Sequence, residues 1–352
     1  MATAKTSQSS REHDVVVIGA GIAGLMASSH LSKAGYRVAV LEKARGVGGR
    51  MATRRIGEAV CDHGAQYFSV KGRAFGSVVS KAQDSLAVMP WCDLFPHSKT
   101  AEGPAVELLD EVGHARWRGA HGMTSLPKYL AQQLPDPVKT EVRVRSLGVQ
   151  DNAVHLSCED SETVVARAAV LTAPVPQAVE ILQSGGLRPP AVDPEVWGVL
   201  SSVEYSPCFS LMLWLAKPSL LPAPGGLEVS SGPVAWIGDN YKKGISPVPS
   251  LTVQATAKFS REHFDTEPSQ VEEKLIEAVH SWIDGKASDE VRATSLQRWK
   301  YAFPVSPLKA PMIAVQNKPP VVCCGDAFGG GRVESAASSG LAAARWIQRL
   351  LG

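Results

Sequence analysis

The chain has 352 residues, 44% hydrophobic and 20% charged, the make-up of a globular protein long enough to bury its own core. A formal charge of +2 excludes the strong field that nucleic acid or an acidic membrane surface would call for. The six cysteines are scattered and form no C-x-x-C pair, so nothing points to a zinc ribbon, a dithiol motif or a disulfide framework, and a reducing, cytoplasmic setting is expected.

Length predicts two domains. The first twelve residues are rich in Ser and Thr, carry no apolar stretch, and read as a disordered tail instead of a secretory leader. From Val15 to Ser32 there is no Asp, Glu, Lys or Arg, but three glycines and His30 favour a strand–turn–helix over a membrane span. Residues 14–18 read as a buried parallel strand, 22–34 as a helix ended by Gly35, and 37–41 as a second strand. Residues 45–68 are glycine-rich and read as irregular, and 73–118 hold two further helices or strands. The spacing predicts an amphipathic helix over 123–134, a strand pair over 138–147 and 154–157, and a buried strand over 168–174. Residues 186–260 are Pro-rich, with β-like stretches at 208–215 and 251–257. A helix over 269–283, a buried strand over 320–325 and a closing helix over 334–351 follow.

The first and last segments both look like parts of one nucleotide-binding unit. The expected fold class is therefore α/β. A discontinuous Rossmann-type domain would come from residues 1–72, 119–180 and 295–352. An inserted α+β substrate domain with a mainly antiparallel sheet would come from 73–118 and 181–294.

Gly19-Ala20-Gly21-Ile22-Ala23-Gly24 follows a strand and opens a helix. Gly19 permits a tight turn, Gly21 lets backbone approach a pyrophosphate, and Gly24 permits close helix–strand packing. The helix N-terminus offers free N–H groups to phosphate. Glu42, next to Lys43, ends the following strand 18 residues after Gly24, where an acid can bond a ribose hydroxyl pair. A second glycine pair, Gly48-Gly49-Arg50-Met51, resembles the FAD-containing amine-oxidase superfamily, in which such a segment runs beside the diphosphate. At the other end, Gly325-Asp326 closes a strand, and Arg332-Val333-Glu334 leads into a small-residue helix through Ala336. In such flavoproteins the acid bonds the ribityl or diphosphate region and the helix N-terminus faces the flavin edge.

Three further segments carry a more specific likeness. Gly49-Arg50-Met51 with Asp62-His63-Gly64-Ala65-Gln66-Tyr67-Phe68, Arg116-Trp117-Arg118-Gly119 with Gly122-Met123, and Arg298-Trp299-Lys300-Tyr301 with Gly331-Arg332-Val333-Glu334 resemble the renalase family, particularly its bacterial members. The resemblance spans most of the chain and is loosest over 150–290. It implies non-covalent FAD and no metal. It also implies an oxidase that takes hydride from 2- and 6-dihydro isomers of NAD(P), returns NAD(P)+ and passes the electrons to O2 as hydrogen peroxide. Its partners would be that reduced dinucleotide and O2, with no nucleic acid and no membrane. The family places Asn240, Gln254, Trp299 and Tyr301 near the substrate, with Gln254 standing where bacterial relatives are expected to carry histidine. His63, Gly64, Ala65, Gln66 and Tyr67 would touch the cofactor, and Val144 would meet the adenine through its backbone. For His63 a plain structural role is the alternative. A different reading is an amine oxidase or desaturase of the same superfamily. A third is a flavin-binding protein without turnover. The pair Cys323-Cys324 reads as buried thiols.

Overall fold

The computed structural model describes residues 13–101, 103, 114–159 and 161–352. The expected N-terminal tail, and part of the 73–118 segment, lie outside the described residues.

Four apolar, β-branched runs form the centre of the first sheet: Val38–Leu41, His13–Ile18, Thr163–Leu171 and Pro320–Cys323, parallel and in that spatial order. Each buries both faces, which is why they read as continuous hydrophobic runs. Their carboxyl ends are in register. Ile18 lies between Leu41 and Leu171, and Leu171 pairs with Cys323. Ile313–Asn317 adds an antiparallel edge. Val144–Gln150 and Ala153–Cys158 form a hairpin that pairs with the first half of Thr163–Leu171. Its turn is Asp151-Asn152, both at positive φ (50° and 55°), the conformation a two-residue hairpin requires. Both ends of the chain thus meet in one sheet, as expected.

The helix Ile22–Lys33 runs beneath this sheet and is buried along most of its length. The closing helix Val333–Leu351 lies against it. A Cβ at Gly340 would sit 2.0 Å from the Ala23 carbonyl oxygen, so only glycine permits this approach.

The second sheet is ordered Val291–Pro304, Tyr205–Leu215, Ser250–Ala255, Val234–Asp239, Gly226–Val229 and His97–Ser98, antiparallel except for the last pair. Its two faces are segregated by the two-residue period of a strand. Phe209, Leu211 and Leu213 point to a core shared with Val271 and Leu275 of the helix Pro268–Ala278. The alternate positions, among them Cys208, Gln254, Trp236 and Trp299, face the first domain.

Several expectations need correction. Residues 45–68 are not wholly irregular, because Thr53–Ile56 and Ala59–Asp62 form a hairpin turned at Gly57 (φ +57°). The 73–118 segment does not belong to one side. Phe75, Val79, Ala82 and Val88 pack in the same core as the helix Ile22–Lys33, while His97–Ser98 pairs with Gly226–Val229 in the second sheet. Residues 295–304 pair with Tyr205–Leu215 and belong to the second sheet, whereas Val192, Leu200 and Val203 pack against the first. Short-range patterning does not register these partners, which are set by chain segments far away. The predicted 269–283 helix ends at Ala278 and continues as one 3-10 turn, His280–Trp282. Among the described residues no helix is long and apolar enough to cross a membrane.

Candidate active site

One cavity of about 1770 Å³ runs along the carboxyl edge of the parallel strands and continues between the two sheets. This is where an open α/β sheet leaves a crevice. Its first part is walled by Gly19, Gly21, Ile22, Ala23, Glu42, Lys43 and Val144. Gly19 holds φ +105°, and a Cβ at Gly24 would lie 2.0 Å from the Gly19 carbonyl oxygen, so both glycines serve the turn itself. Gly21 differs, since a Cβ there would meet no protein atom within 4 Å. The space in front of it is left for a ligand. Neither Ala20 nor Gly24 lines the cavity. Ala20 acts through its N–H, which donates to Glu42 Oε2 at 2.8 Å, and Ala44 N–H donates to Glu42 Oε1 at 2.8 Å. Glu42 is thereby fixed with lone pairs to spare for hydroxyl donors.

The middle of the cavity is built by two glycine segments in contact. Gly48 N–H donates to the Ala20 carbonyl (2.9 Å), and a Cβ at Gly49 (φ +55°) would be 3.4 Å from Gly21 Cα. A Cβ at Gly64 would be 1.9 Å from the Arg50 carbonyl oxygen, which lets the Gly64–Tyr67 run lie flat on the Arg50–Met51 segment. Gly64, Ala65, Gln66 and Tyr67 all line the cavity, as do Gly49, Arg50 and Met51. Arg50 donates to both carboxylate oxygens of Asp326 (2.5 and 2.6 Å) and to the Tyr301 carbonyl (3.1 Å), and Tyr205 OH donates to Asp326 Oδ1 (3.1 Å). Burial disfavours the Arg50 charge, but Asp326 outweighs it and holds the guanidinium protonated. Burial also pushes the Tyr205 phenol well above its usual range, with Asp326 adding to the effect.

Gly325, Asp326, Arg332, Val333, Glu334 and Ala336 close this part. The helices Ile22–Lys33 and Val333–Leu351 both begin here, and neither N-terminus has a side-chain cap. Two sets of free backbone N–H groups and two positive helix ends therefore share one cavity. A dinucleotide fits these features. Gly19–Ala23 and the first helix would hold its diphosphate, Glu42 a ribose, and the closing helix the electron-rich edge of a flavin.

Beyond lies the second-sheet end, with Gln254, Trp299 and Tyr301 in the wall. Gln254 Nε2 donates to the Gly64 carbonyl (2.6 Å), and Trp299 Nε1 donates to the His63 carbonyl (2.8 Å). His63 does not line the cavity. It is 6% exposed, stacks on Trp299 at 5.4 Å, and its Nδ1 has no partner among the described residues. Burial, with Arg54 nearby, pushes its pKa down to about 4, so the ring is neutral. It packs behind Trp299, away from the cavity. Asn240 is also not at the cavity. The hairpin Thr53–Asp62 covers that end of the sheet. Asn240 is wholly buried beneath it, accepting from Asp62 N–H (3.2 Å) and donating to Thr252 Oγ1 (3.0 Å).

Lys243, Lys71, Glu228 and Trp236 had no distinguishing pattern in the sequence. Lys243, wholly buried, donates to Asp62 Oδ2 (2.6 Å) and the Gln66 carbonyl (2.5 Å) and lies 4.8 Å from the Trp91 ring. Burial pushes its pKa down while Asp62 opposes the shift. Asp62 in turn accepts from Met123 N–H and Thr53 Oγ1. Lys71, Arg116, Glu228 and Trp236 also line this end. Among the described residues no cluster of His, Cys, Asp and Glu could hold a metal ion, and the vicinal thiols of Cys323 and Cys324 are buried and pushed far up by burial.

Comparison with known proteins gives the fold and the family. Residues 91–348 match the model of flavin containing amine oxidoreductases, and residues 17–80 that of an NAD(P)-binding Rossmann-like domain. The putrescine oxidase of Kocuria rosea is 48% identical over 63 residues, 18% of this chain and 13% of that one. A hydroxyneurosporene desaturase of Rubrivivax gelatinosus is 30% identical over 105 residues, 29% of this chain and 20% of that protein. These aligned segments span well under a third of the relatives' own lengths. In structure the chain is similar to putrescine oxidase (TM-score 0.72, 15% identity) and to the cyclohexylamine oxidase of Brevibacterium oxydans (TM-score 0.73, 14% identity). Each superposition covers 96% of this chain and 99% of the other.

Proposed function

The chain belongs to the family of flavin containing amine oxidoreductases, and from that premise we propose that it is an FAD-dependent oxidase of the 2- and 6-dihydro isomers of NAD(P). FAD is the cofactor of its family, and the cavity just described fits it without a covalent link. When bound, it supplies a two-electron acceptor that hands its electrons on to O2, giving hydrogen peroxide.

One observation carries the choice of substrate. The wall groups Gly64, Gln254, Trp299 and Tyr301 include no carboxylate, imidazole or amine. The Asp326 carboxylate is held bidentate by Arg50, and His63 is buried and neutral. A dihydropyridine that gives up hydride becomes an aromatic cation, so no proton has to be removed. The protein need only fix the ring against the acceptor. Gln254 suits that task. Its N–H group is committed to the Gly64 carbonyl, and its own carbonyl is left to accept from a carboxamide. Trp299, locked by its bond to the His63 carbonyl and by the stacked imidazole, offers a flat wall for the ring. A second reading, oxidation of an amine, is favoured by Glu228, whose carboxylate lines the same end of the cavity beside the Tyr67 hydroxyl (3.4 Å).

The test is anaerobic mixing of the FAD-loaded protein with 6-dihydro-NAD, ordinary 4-dihydro-NAD and a panel of amines. Rapid loss of flavin colour with the 6- or 2-isomer is expected. Bleaching by an amine and not by the isomers would sink the reading in favour of the second. Gly21→Val should abolish FAD uptake, because the valine occupies the space kept open for the diphosphate. Normal flavin content in that variant would overturn the cofactor placement.

A further inference from the structure

Cations collect where the middle of the cavity meets its second-sheet end, and they come from three separate elements. Arg116 opens the strand Arg116–Gly119 and pairs with Ser69. That pairing sets it beside Lys71, two residues further on. Arg332 stands immediately before the closing helix. Glu334 of that helix accepts from the N–H groups of Lys71 (2.9 Å) and Gly72 (2.6 Å), which ties the helix start to the same corner. The Arg116 guanidinium lies 5.3 Å from the Tyr67 ring centre, and both Arg116 and Arg332 act electrostatically on the Tyr67 hydroxyl. All three cations line the cavity.

None of the three forms an ion pair among the described residues. Arg116 Nη1 donates only to the His114 carbonyl (2.9 Å), and its Nε, shut off from solvent, has no acceptor. An unpartnered buried donor on a charged group is costly unless something accepts from it. Two carboxylates stand nearby, but Glu334 is engaged by backbone amides and Glu228 by Tyr67.

We infer that Arg116, Arg332 and Lys71 form a phosphate subsite, which holds the phosphate end of the substrate while its ring lies against Trp299. A planar guanidinium pairs two N–H groups with two phosphate oxygens, and the flanking cations compensate the remaining charge. The assignment rests on the functional reading above and narrows it. The substrate is a nicotinamide nucleotide bearing at least one phosphate, and neither a free base nor a riboside will replace it.

The experiment compares kcat/KM of the FAD-loaded protein for 6-dihydro-NAD, the 6-dihydro mononucleotide and the phosphate-free 6-dihydro riboside. In the parent protein the phosphorylated substrates should lead the riboside by at least tenfold. In Arg116→Gln and Arg332→Gln that ratio should shrink toward one. A ratio near one in the parent, or a ratio unaltered by both variants, overturns the subsite. If no isomer bleaches the flavin, it is the functional reading that has failed. The subsite is then tested alone, by titrating the flavin absorbance with inorganic pyrophosphate. Tighter binding to the parent than to both variants supports it, and equal binding overturns it.

Discussion

Two ion pairs flank the cavity, and they behave as opposites. Lys243–Asp62 is sealed, with side chains 1% and 0% exposed. Arg50–Asp326 keeps 27% and 15% of its surface. The sealed pair has no room for a ligand, and every oxygen of Asp62 already has a donor from the protein. It fastens the Thr53–Asp62 hairpin and the Gln66 carbonyl to the turn that follows the strand Val234–Asp239. The open pair sits where the two glycine segments meet and can exchange part of its bonding for a ligand. A buried pair loses strongly when one partner is removed, because the other charge is stranded; a partly wet pair loses little. The first fastens the fold, and the second is the one that faces the cavity.

Changes on either side would break that contrast. Lys243→Met leaves the Asp62 carboxylate stranded, and a loss of about 3–5 kcal/mol in urea unfolding is expected. A loss below about 1 kcal/mol would mean that water reaches the pair. His63, packed between the hairpin and Trp299, gives a pH-dependent measure of the same wall. Its folded pKa, about 4, lies below the unfolded value of 6.5. Its contribution is therefore complete above pH 6.5 and is lost as pH falls toward 4. The span corresponds to about 3 kcal/mol. The difference in unfolding free energy between the parent and His63→Gln should follow that window, and a flat difference would place the ring in solvent. At the open pair, Asp326→Asn should weaken FAD about tenfold, or roughly 1.4 kcal/mol, with little change in unfolding of the cofactor-free protein. Equilibrium dialysis reads the first effect and urea the second. Tyr205→Phe removes only the hydroxyl bonded to Asp326 and should cost about 1 kcal/mol or less of FAD affinity.

The same contrast governs what could be read from the amino-acid sequence. Gly19, Gly21, Gly24 and Glu42 lie within one βαβ unit, so their spacing alone points to a dinucleotide. Arg50 and Asp326 are legible separately, each within a glycine-rich turn, but not as partners. Lys243 is silent. Its neighbours Tyr241, Lys242 and Gly244 carry no motif, and the acid that captures it lies 181 residues away. Asn240 shows the cost of reading a residue without knowing what covers it. It has the alternation of the cavity face, but the hairpin roofs that end of the sheet. Lys71 is equally silent; Arg116 and Arg332 each stand in a segment that carries a likeness, but only the folded chain brings the three elements to one corner.

The parallel strands that floor the cavity are contributed by residues 13–18, 38–41, 163–171 and 320–323. A polypeptide emerging from the ribosome therefore carries the phosphate-binding turn long before it carries the strand and helix that complete the floor. Contacts this distant in sequence form late and slowly. Flavin capture is then expected late, once the closing helix has docked at Ala23. A chain without the closing helix would expose the face of Ile22–Lys33 that packs against it.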